Sequence, residues 1–170
     1  MPSLVPIKAA VVTISDTRKP DNDLSGERLR ELLEEFGAEV VDKLIVSDEP
    51  AEITAALGEL SSRPGVNLIL TTGGTGFAPR DNTPEATRAV IEREAPGIAE
   101  AMRRETAAKT PLSMLSRGIA GIAGEALIVN FPGAPRAVGE CFEVLAPVLR
   151  HAVQLIHGDT AHEAKWRDGG

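Results

Sequence analysis

The sequence is poor in the residues that build disulfides and aromatic cores. Cys141 is the single cysteine, which excludes an intrachain disulfide and a paired-cysteine metal site. It lies in an apolar helical pattern beside Phe142 and Leu145, which favours a buried structural thiol over a nucleophile. Aromatic residues make up 3% of the chain and hydrophobic residues 42%, so we expect an aliphatic, alanine-rich core.

Long hydrophobic runs are also missing. No stretch approaches the roughly 18 consecutive apolar residues that a membrane-spanning helix needs. The opening segment MPSLVPIKAAVV lacks the basic region and cleavable apolar segment of a signal peptide. We therefore expect a cytoplasmic protein with no membrane partner.

Positive charge is scarce, because 25 acidic residues outnumber 18 basic ones and the formal net charge is −7. Proteins that coat nucleic acids neutralise phosphates with clustered Lys and Arg, so this balance argues against a nucleic-acid partner. A small phosphorylated ligand stays compatible with the charge, since it needs only a few local cations and backbone donors.

No histidine accompanies a serine in a triad-like arrangement, because His151, His157 and His162 all lie near the C-terminus. The last two either bind a metal weakly or belong to a solvated tail, and we favour the tail. The 170 residues suit one domain, which we predict over residues 1–156, followed by a polar C-terminal tail over 157–170.

Short apolar runs alternate with helical patterns along the chain. Strands are predicted at Lys8–Ser15, Glu39–Val46, Val66–Leu70 and Leu127–Val129. Helices are predicted from an N-cap at Ser25 to Phe36, at Ala51–Leu60, from an N-cap at Thr83 to about Glu94, at Ile98–Thr106 and from about Arg136 to Ile156. The hydrophobic pattern of Thr110–Arg117 predicts neither a helix nor a strand.

This alternation predicts a single-domain α/β fold, a three-layer α/β/α sandwich with a doubly wound, mostly parallel sheet. Strands that are continuously apolar indicate that helices cover both faces. In such folds ligands bind beyond the carboxyl ends of the strands. The loops that follow the four strands should therefore gather at one edge of the sheet; they hold Ser15-Asp16, Ser47-Asp48, Gly73–Asp81 and Asn130–Gly133.

A Gly-Gly-Thr-Gly loop at Gly73–Gly76 follows the third predicted strand. Glycines let backbone N–H groups approach phosphate oxygens, although the same residues also suit a plain strand-to-helix turn. Carboxylates in the neighbouring loops favour the functional interpretation, because more of them gather there than helix capping requires: Asp16, Asp23, Asp48 and Asp81. Paired carboxylates at such an edge would suit Mg²⁺ held jointly with nucleotide phosphates.

Other polar residues stay open between two roles. Asn130 either closes a turn with Pro132 and Gly133 or hydrogen-bonds a ligand. Arg80 and Arg117 either clamp an anion or form surface ion pairs. Hydroxyls at three further positions either bind phosphate or cap helices: Thr106, Ser113 and Ser116.

Four motifs together resemble a known family: TTGGTGFAPRDNTPEAT at Thr71–Thr87, IEREAPGIAEAMR at Ile91–Arg103, TPLSMLSRGIAGI at Thr110–Ile122 and LIVNFPGAPRA at Leu127–Ala137. They are similar to the molybdenum-cofactor biosynthesis proteins of the bacterial MogA, gephyrin G-domain and plant G-domain type. The segment ISDTRKPDNDLSGERL at Ile14–Leu29 also resembles the related MoaB branch. The resemblance spans about residues 8–156.

The resemblance implies a molybdopterin adenylyltransferase, which uses Mg-ATP to place AMP on the terminal phosphate of molybdopterin and releases pyrophosphate. The family's two key carboxylates fall on Asp48 and Asp81, for which it implies catalytic and Mg²⁺-binding roles. The implied substrate-binding residues are Ser15, Asp23, Gly73, Gly74, Thr75, Gly76, Thr106, Ser116, Asn130, Pro132 and Gly133.

The chain departs from this pattern at Thr106, where active members have Ser, and at Phe131, where they have Leu. The sequence resembles both the MogA and the MoaB branch. This mixed resemblance implies an alternative to the adenylyltransferase, a non-catalytic molybdopterin-binding or scaffold protein. The resemblance further implies a homo-oligomer, either trimer or hexamer, and a downstream molybdate-insertion enzyme as a partner.

Overall fold

Six strands form one sheet in the computed structural model, which describes residues 4–159. They are β1 (Lys8–Ile14), β2 (Glu39–Val46), β3 (Leu68–Thr72), β4 (Arg93–Glu94), β5 (Ala120–Ala123) and β6 (Ala126–Phe131). The order is β2-β1-β3-β6-β5-β4; the first four run parallel, and β5 runs antiparallel to both β6 and β4. The predicted doubly wound, mostly parallel sheet is confirmed.

Helices cover both faces of the sheet, so the predicted three-layer sandwich is also confirmed. The helices are α1 (Leu24–Phe36), α2 (Pro50–Ser62), α3 (Thr83–Arg88), α4 (Pro96–Thr106) and α5 (Pro135–Ile156), with a 3₁₀ helix at Pro111–Leu115. Residues of α1, α4 and α5 form one apolar core, and those of α2 and α3 form the other.

Strand β1 shows how the sequence builds two cores. Successive side chains of a strand point to opposite faces, so Ala9 and Val11 enter the core beneath α1 and α5, while Ala10 and Val12 enter the core beneath α2. All four residues are fully buried. A continuous apolar run is therefore what a strand with helices on both sides requires.

The parallel strands bring their carboxyl ends to one edge, as predicted. Ile14 at the end of β1 pairs with Val46 at the end of β2. Thr72 at the end of β3 pairs with Phe131 at the end of β6. The chain adds β2 on one side of β1 and β3 on the other, so the gap between the loops after β1 and β3 is the switch point where such folds bind ligands.

Two predicted N-caps are wrong by one or two residues. The N-cap of α1 is Asp23 rather than Ser25, since the Asp23 carboxylate accepts a hydrogen bond from the Gly26 N–H at 3.1 Å. Helix α3 begins at Thr83 and has Asn82 as its N-cap, because the Thr83 hydroxyl instead donates to the Gly73 carbonyl at 2.9 Å. The α1 cap is thus a local hydrogen bond, whereas at α3 a contact with the glycine loop occupies the hydroxyl that was predicted to cap the helix.

The predicted helix from Thr83 to Glu94 is wrong at its second half. Helix α3 ends at Arg88, and Arg93–Glu94 form the edge strand β4 against β5. Backbone hydrogen bonds hold this segment in an extended conformation. The N–H of Glu92 donates to the Ile122 carbonyl and that of Ala95 to the Ala120 carbonyl, both at 2.8 Å. Neither β4 nor β5 is predicted from the sequence, and α4 begins at Pro96, where an interruption is predicted.

The predicted C-terminal tail begins where α5 ends, but most of it, with His162, lies outside the described residues. Within residues 4–159, no helix is long and apolar enough to cross a membrane.

Candidate active site

The glycine loop needs glycine at its first two positions. Gly73 has φ 98° and Gly74 has φ 68°, both in the left-handed region that favours glycine. A side chain at Gly73 would also overlap the backbone carbonyl of Ile14 at the end of β1. The loop therefore lies directly against the switch point of the sheet, which a larger residue would block.

Two carboxylates link the loops after β1 and β2. The backbone N–H of Asp16 donates to the Asp48 carboxylate at 2.9 Å, and the N–H of Asp48 donates to the Asp16 carboxylate at 3.0 Å. Arg80, in the loop after β3, donates to both oxygens of Asp16 at 2.6 and 3.0 Å and to Glu49 at 2.9 Å. Three predicted loops thus meet through these charges.

The two carboxylates differ in their electrostatics. Hydrogen bonds from Arg80, with help from the Asp48 backbone, lower the pKa of Asp16. Burial raises the pKa of Asp48, and the negative charges of Asp16 and Asp81 raise it further. Asp48 is therefore a partly buried carboxylate in a negative field, which would be relieved by a cation.

Asp81 lies on the other side of the glycine loop. Its carboxylate accepts a hydrogen bond from the Ala78 N–H at 3.0 Å, and a side chain at Gly76 would crowd the same carboxylate. Asp48 lies beside Gly74, where an added side chain would come within 3.4 Å of its carboxylate oxygen. The two predicted metal-binding residues therefore border the same loop, one near each end.

Arg117 ties this loop to the segment after the 3₁₀ helix. Its guanidinium donates to the carbonyls of Gly76 at 2.8 Å and Asp81 at 2.6 Å, and it also pairs with Glu85. Its backbone N–H donates to the Thr75 carbonyl at 2.7 Å. Arg117 thus forms an ion pair, one of the two alternatives that the sequence left open, and it also holds the backbone of the glycine loop, a role that the sequence did not suggest.

A cavity of about 440 Å³ adjoins the loop on the side of α4 and α5. Predicted site residues at five positions line it: Thr106, Ser116, Asn130, Pro132 and Gly133. Residues that the sequence did not assign to a site line it as well, among them Arg103, Lys109, Arg136, Glu140 and Cys141. The predicted residues therefore fall into two groups, one in the cavity and one around the carboxylates.

The two groups meet where β3 and β6 end side by side. The Thr72 hydroxyl donates to the Pro132 carbonyl at 2.7 Å, and the Gly73 N–H donates to the Phe131 carbonyl at 3.2 Å. A side chain at Gly133 would lie 3.6 Å from the Gly73 Cα. One ligand could therefore extend from the cavity to the glycine loop across this contact.

Asn130 is bonded on every side within the protein. Its amide N–H₂ donates to the hydroxyls of Thr71 and Thr87 at 3.0 Å each, and its carbonyl accepts from the Ile119 N–H at 3.1 Å. The residue is 4% exposed. These bonds join β6 to β3, to α3 and to the residue before β5. Asn130 therefore stabilises the fold as well as lining the cavity.

Three predicted hydroxyls also have partners in the protein. Thr106 donates to the Met102 carbonyl at 2.6 Å, one turn earlier in α4. Ser116 accepts from the Gly118 N–H at 3.3 Å. Ser15 accepts from the N–H groups of Thr17 at 3.2 Å and Arg18 at 3.1 Å.

The structure places Asp23 apart from the other carboxylates. Its side chain is fully buried, accepts a hydrogen bond from the Thr13 hydroxyl at 2.8 Å and lies 3.3 Å from the Lys43 ammonium. Together with the cap bond to Gly26, these contacts engage both of its oxygens. Asp23 thus fixes the start of α1 at the end of β1.

Helical spacing could have revealed part of the cavity. Arg103 and Thr106 share one face of α4 with Ala99 and Met102, so two polar residues lie within an otherwise apolar stripe. On α5, Glu140 follows the small residue Ala137 at the same spacing and precedes Cys141. A polar residue within the apolar face of a helix indicates that this face borders a cavity. The sequence analysis did not use this signal.

Asp48 and Asp81 suit a magnesium ion that is held jointly with substrate phosphates. Among residues 4–159, no group of three or more His, Cys, Asp and Glu side chains could hold a metal ion alone. Mg²⁺ is commonly held by one or two carboxylates together with substrate phosphates and water. Asp48 and Asp81 beside a glycine loop fit that second arrangement.

A model of the family described as "Probable molybdopterin binding domain" matches residues 10–151. The chain belongs to this family of molybdenum cofactor biosynthesis proteins. The match includes every residue of the predicted site, from Ser15 to Gly133.

Relatives agree with this family assignment. The molybdopterin adenylyltransferase of Helicobacter pylori is 40% identical over 139 residues, covering 81% of this chain and 79% of its own length. The molybdenum cofactor synthesis protein cinnamon of Drosophila melanogaster is 46% identical over 158 residues, covering 91% of this chain. The chain spans only 26% of the length of that fly protein.

A solved structure shares the fold over nearly the whole domain. The crystal structure of the molybdopterin biosynthesis enzyme MoaB from Thermus thermophilus superposes with a TM-score of 0.82 at 44% identity. The alignment covers 89% of this chain and 97% of that chain. This chain therefore shares both sequence and fold with that protein over most of its length.

Proposed function

We propose that this molybdopterin-binding domain acts in molybdenum cofactor biosynthesis as a molybdopterin adenylyltransferase, transferring AMP from Mg-ATP to molybdopterin. The observation that supports this most is the glycine loop bordered by Asp48 and Asp81 beside a cavity. The similarity to the adenylyltransferase of Helicobacter pylori adds to it.

In the proposed reaction a terminal phosphate oxygen of molybdopterin attacks the α-phosphorus of ATP. The bond from that phosphorus to the bridging oxygen breaks, and pyrophosphate leaves with the bonding electrons. The attacking phosphate is already anionic, so a strong base is unnecessary. The absence of a serine–histidine triad in the sequence suits such chemistry, which depends on positioning and charge neutralisation.

Asp48 and Asp81 would hold Mg²⁺ together with the phosphates of ATP. A bound Mg²⁺ neutralises negative charge on the phosphates and orients the leaving group. Burial and neighbouring carboxylates raise the pKa of Asp48, which indicates a site where a cation would be favourable. We assign both residues a catalytic role on this ground.

The glycine loop would receive the phosphates through backbone N–H groups, and Thr75 would contribute within it. Molybdopterin would occupy the cavity, with its phosphate directed across Pro132 and Gly133 toward Gly73. The Ser116 hydroxyl at the cavity wall would contribute a further hydrogen bond. Thr106, Asn130 and Asp23 would act by shaping the site, because their polar atoms have the protein partners described above. Ser15, like Ser116, accepts from backbone N–H groups, so its hydroxyl proton would bond the substrate.

The test is ATP-dependent adenylylation of purified molybdopterin with Mg²⁺, in which labelled AMP on the product is measured. Turnover by the wild type and its loss in Asp81→Asn would support the mechanism. Full turnover by a double variant of Asp48 and Asp81 would contradict it.

The threonine at position 106 and the MoaB-like segment at Ile14–Leu29 suggest a second candidate, a molybdopterin-binding protein without transfer activity. Tight binding of molybdopterin with no turnover in the same assay would favour this candidate. The two functions share the cavity and differ at the carboxylates.

We further propose that the protein is cytoplasmic, assembles into a homotrimer or hexamer and delivers its product to a molybdate-insertion enzyme. An apolar groove between α4 and α5, with Val148 43% exposed, offers a surface for self-association. Sedimentation velocity would decide the assembly state, and a monomer at micromolar concentration would contradict the proposal.

A further inference from the structure

Glu140 is the single acidic residue among the described residues that line the cavity. The cations and hydroxyls that share this lining are Arg103, Lys109, Arg136, Thr106, Thr110, Ser113 and Ser116. Cations and hydroxyls suit the phosphate end of a ligand, whereas a lone carboxylate facing the same space repels phosphate. It therefore points to a ligand group that carries N–H donors.

The Glu140 carboxylate has acceptor capacity left over. Its side chain is 13% exposed, and the hydrogen bond described for it is one from the Arg136 Nε at 3.2 Å. The Arg136 side chain is 89% exposed, so this pair is a weak surface contact. A carboxylate offers about four acceptor positions on two oxygens, so most remain available for a ligand in the cavity.

The surroundings of Glu140 suit a flat ring. Ala99, Met102 and Ala137, which line the same cavity, are apolar, and Cys141 next to Glu140 is a neutral thiol whose pKa burial raises to about 11. A carboxylate beside apolar walls pairs well with two parallel N–H donors, as it does with a guanidinium. The ring of a pterin presents such a pair, the 2-amino group and the N3–H.

The position of Glu140 along α5 fits this orientation. Helix α5 begins at Pro135, directly after the Gly133 contact with the glycine loop. Glu140 follows five residues later, which places its backbone roughly 8 Å along the helix axis. A ring at Glu140 would therefore leave its phosphate-bearing substituent directed back toward Gly133 and the glycine loop.

We infer that Glu140 is a specificity-determining residue that binds the 2-amino and N3–H edge of the pterin ring. The inference rests on the proposed function, because it takes molybdopterin as the occupant of the cavity. It adds the residue that selects an aminopyrimidinone ring over a ring that lacks the 2-amino donor.

The experiment compares two rings that differ at one group, 6-hydroxymethylpterin and 6-hydroxymethyllumazine, by fluorescence titration. Lumazine carries a carbonyl in place of the 2-amino group, so an acceptor would face the Glu140 carboxylate. The wild type should bind the pterin at least tenfold more tightly, since a site built for a donor rejects a ligand that lacks it.

Glu140→Gln gives the decisive result, because an amide can accept from N3–H and donate to the lumazine carbonyl. This variant should lose the preference for pterin or reverse it. Glu140→Asp keeps the carboxylate and should keep the preference with weaker binding. Glu143→Gln is the matched control one turn later on α5, since Glu143 is exposed and pairs with Lys109 at 3.7 Å; its preference should equal that of the wild type.

An unchanged preference in Glu140→Gln, or a wild type that binds neither ring or both equally, would overturn the inference. Thermal unfolding of each variant shows that the fold is retained. The proposed function is tested separately by AMP transfer to molybdopterin. Turnover with no ring discrimination would reject Glu140 alone, whereas discrimination with no turnover would reject the transferase activity alone.

Discussion

Asp16 and Asp48 each accept a hydrogen bond from the other's backbone N–H, at 3.0 and 2.9 Å. This reciprocal pair joins the loops after β1 and β2 and leaves the Asp48 carboxylate beside Gly74. Asp16 is further held by Arg80, so its charge is largely balanced within the protein. Asp48 is the member of the pair whose charge is left for a cation.

Asp48→Asn should abolish most activity without harming the fold. The loss of one metal-binding carboxylate should lower AMP transfer by about 10² to 10⁴-fold. The free energy of unfolding should equal or exceed that of the wild type at pH 7. The reason is that burial raises the pKa of Asp48, so the ionised side chain destabilises the folded state.

The sign of this effect can be tested with pH. The raised pKa means that folding favours the protonated form, so the stability gain of Asp48→Asn should be largest above that pKa. It should shrink as falling pH protonates Asp48 in the wild type. Urea unfolding across pH 4–8 measures it, with Asp42→Asn as the control because Asp42, in strand β2, is an ion-paired carboxylate that bonds Arg63 at the end of α2. A destabilised Asp48→Asn at pH 7 would contradict the prediction.

Arg117→Lys should weaken the site through the glycine loop. Lysine has a single ammonium group and cannot reproduce the separate bonds to the carbonyls of Gly76 and Asp81. We expect kcat to fall about tenfold or more and the Mg²⁺ concentration for half-maximal activity to rise. The control is Arg104→Lys, because Arg104 is 72% exposed and pairs with the adjacent Glu105.

The same kinetics can reject this role. An unchanged Mg²⁺ requirement together with a lower melting temperature would show that Arg117 supports only the fold. Steady-state rates at several Mg²⁺ concentrations distinguish the two results.

How much of this arrangement the sequence predicts depends on the range of the interactions. The parallel strands, the gathered loops and the glycine loop follow from local apolar runs and from glycine at Gly73 and Gly74. The strands β4 and β5 do not, since Arg93–Glu94 and Ala120–Ala123 are short and extended only by pairing with each other and with β6. Tertiary contacts override the helical pattern there.

The candidate site shows the same division. Asp48 and Asp81 are suggested by their places in the loops after β2 and β3, whereas the bonds from Arg117 to Gly76 and Asp81 join residues 41 and 36 positions apart. The hydrophobic pattern of a single sequence does not indicate which distant residues come into contact. For Asn130 the sequence leaves two roles open, and only the described contacts show that all its amide groups are used.

Asn130→Ala should therefore destabilise the domain strongly. The substitution leaves the buried Ile119 N–H without its acceptor and the hydroxyls of Thr71 and Thr87 without their donor. We expect the free energy of unfolding to fall by about 2–4 kcal/mol. Asn22→Ala, in an exposed loop, should change it by less than about 1 kcal/mol. Similar urea midpoints for the two variants would show that the network contributes little.

Thr106→Val should retain most activity, although active relatives of the MogA type carry Ser at this position. The Thr106 hydroxyl donates to the Met102 carbonyl inside α4, so its proton is engaged by the helix rather than directed at a ligand. Valine keeps the shape of the side chain, and we expect kcat/KM to fall less than about tenfold. A loss beyond about 10²-fold would show that the hydroxyl contacts substrate. Thr110→Val, at another hydroxyl of the lining, provides the comparison.

Cys141 should react slowly with iodoacetamide, and the rate should report on the cavity. Burial raises the pKa of its thiol to about 11, so only about one molecule in a thousand carries the thiolate at pH 8. The rate should increase about tenfold per pH unit up to pH 10, provided that the fold is retained.

Because Cys141 lines the cavity, saturating 6-hydroxymethylpterin should slow the reaction. Mass spectrometry of the single cysteine measures both effects, with the urea-unfolded chain as the reactive control. A rate that levels off below pH 9, or one unaffected by the pterin, would show that the thiol is neither so buried nor so close to the ring.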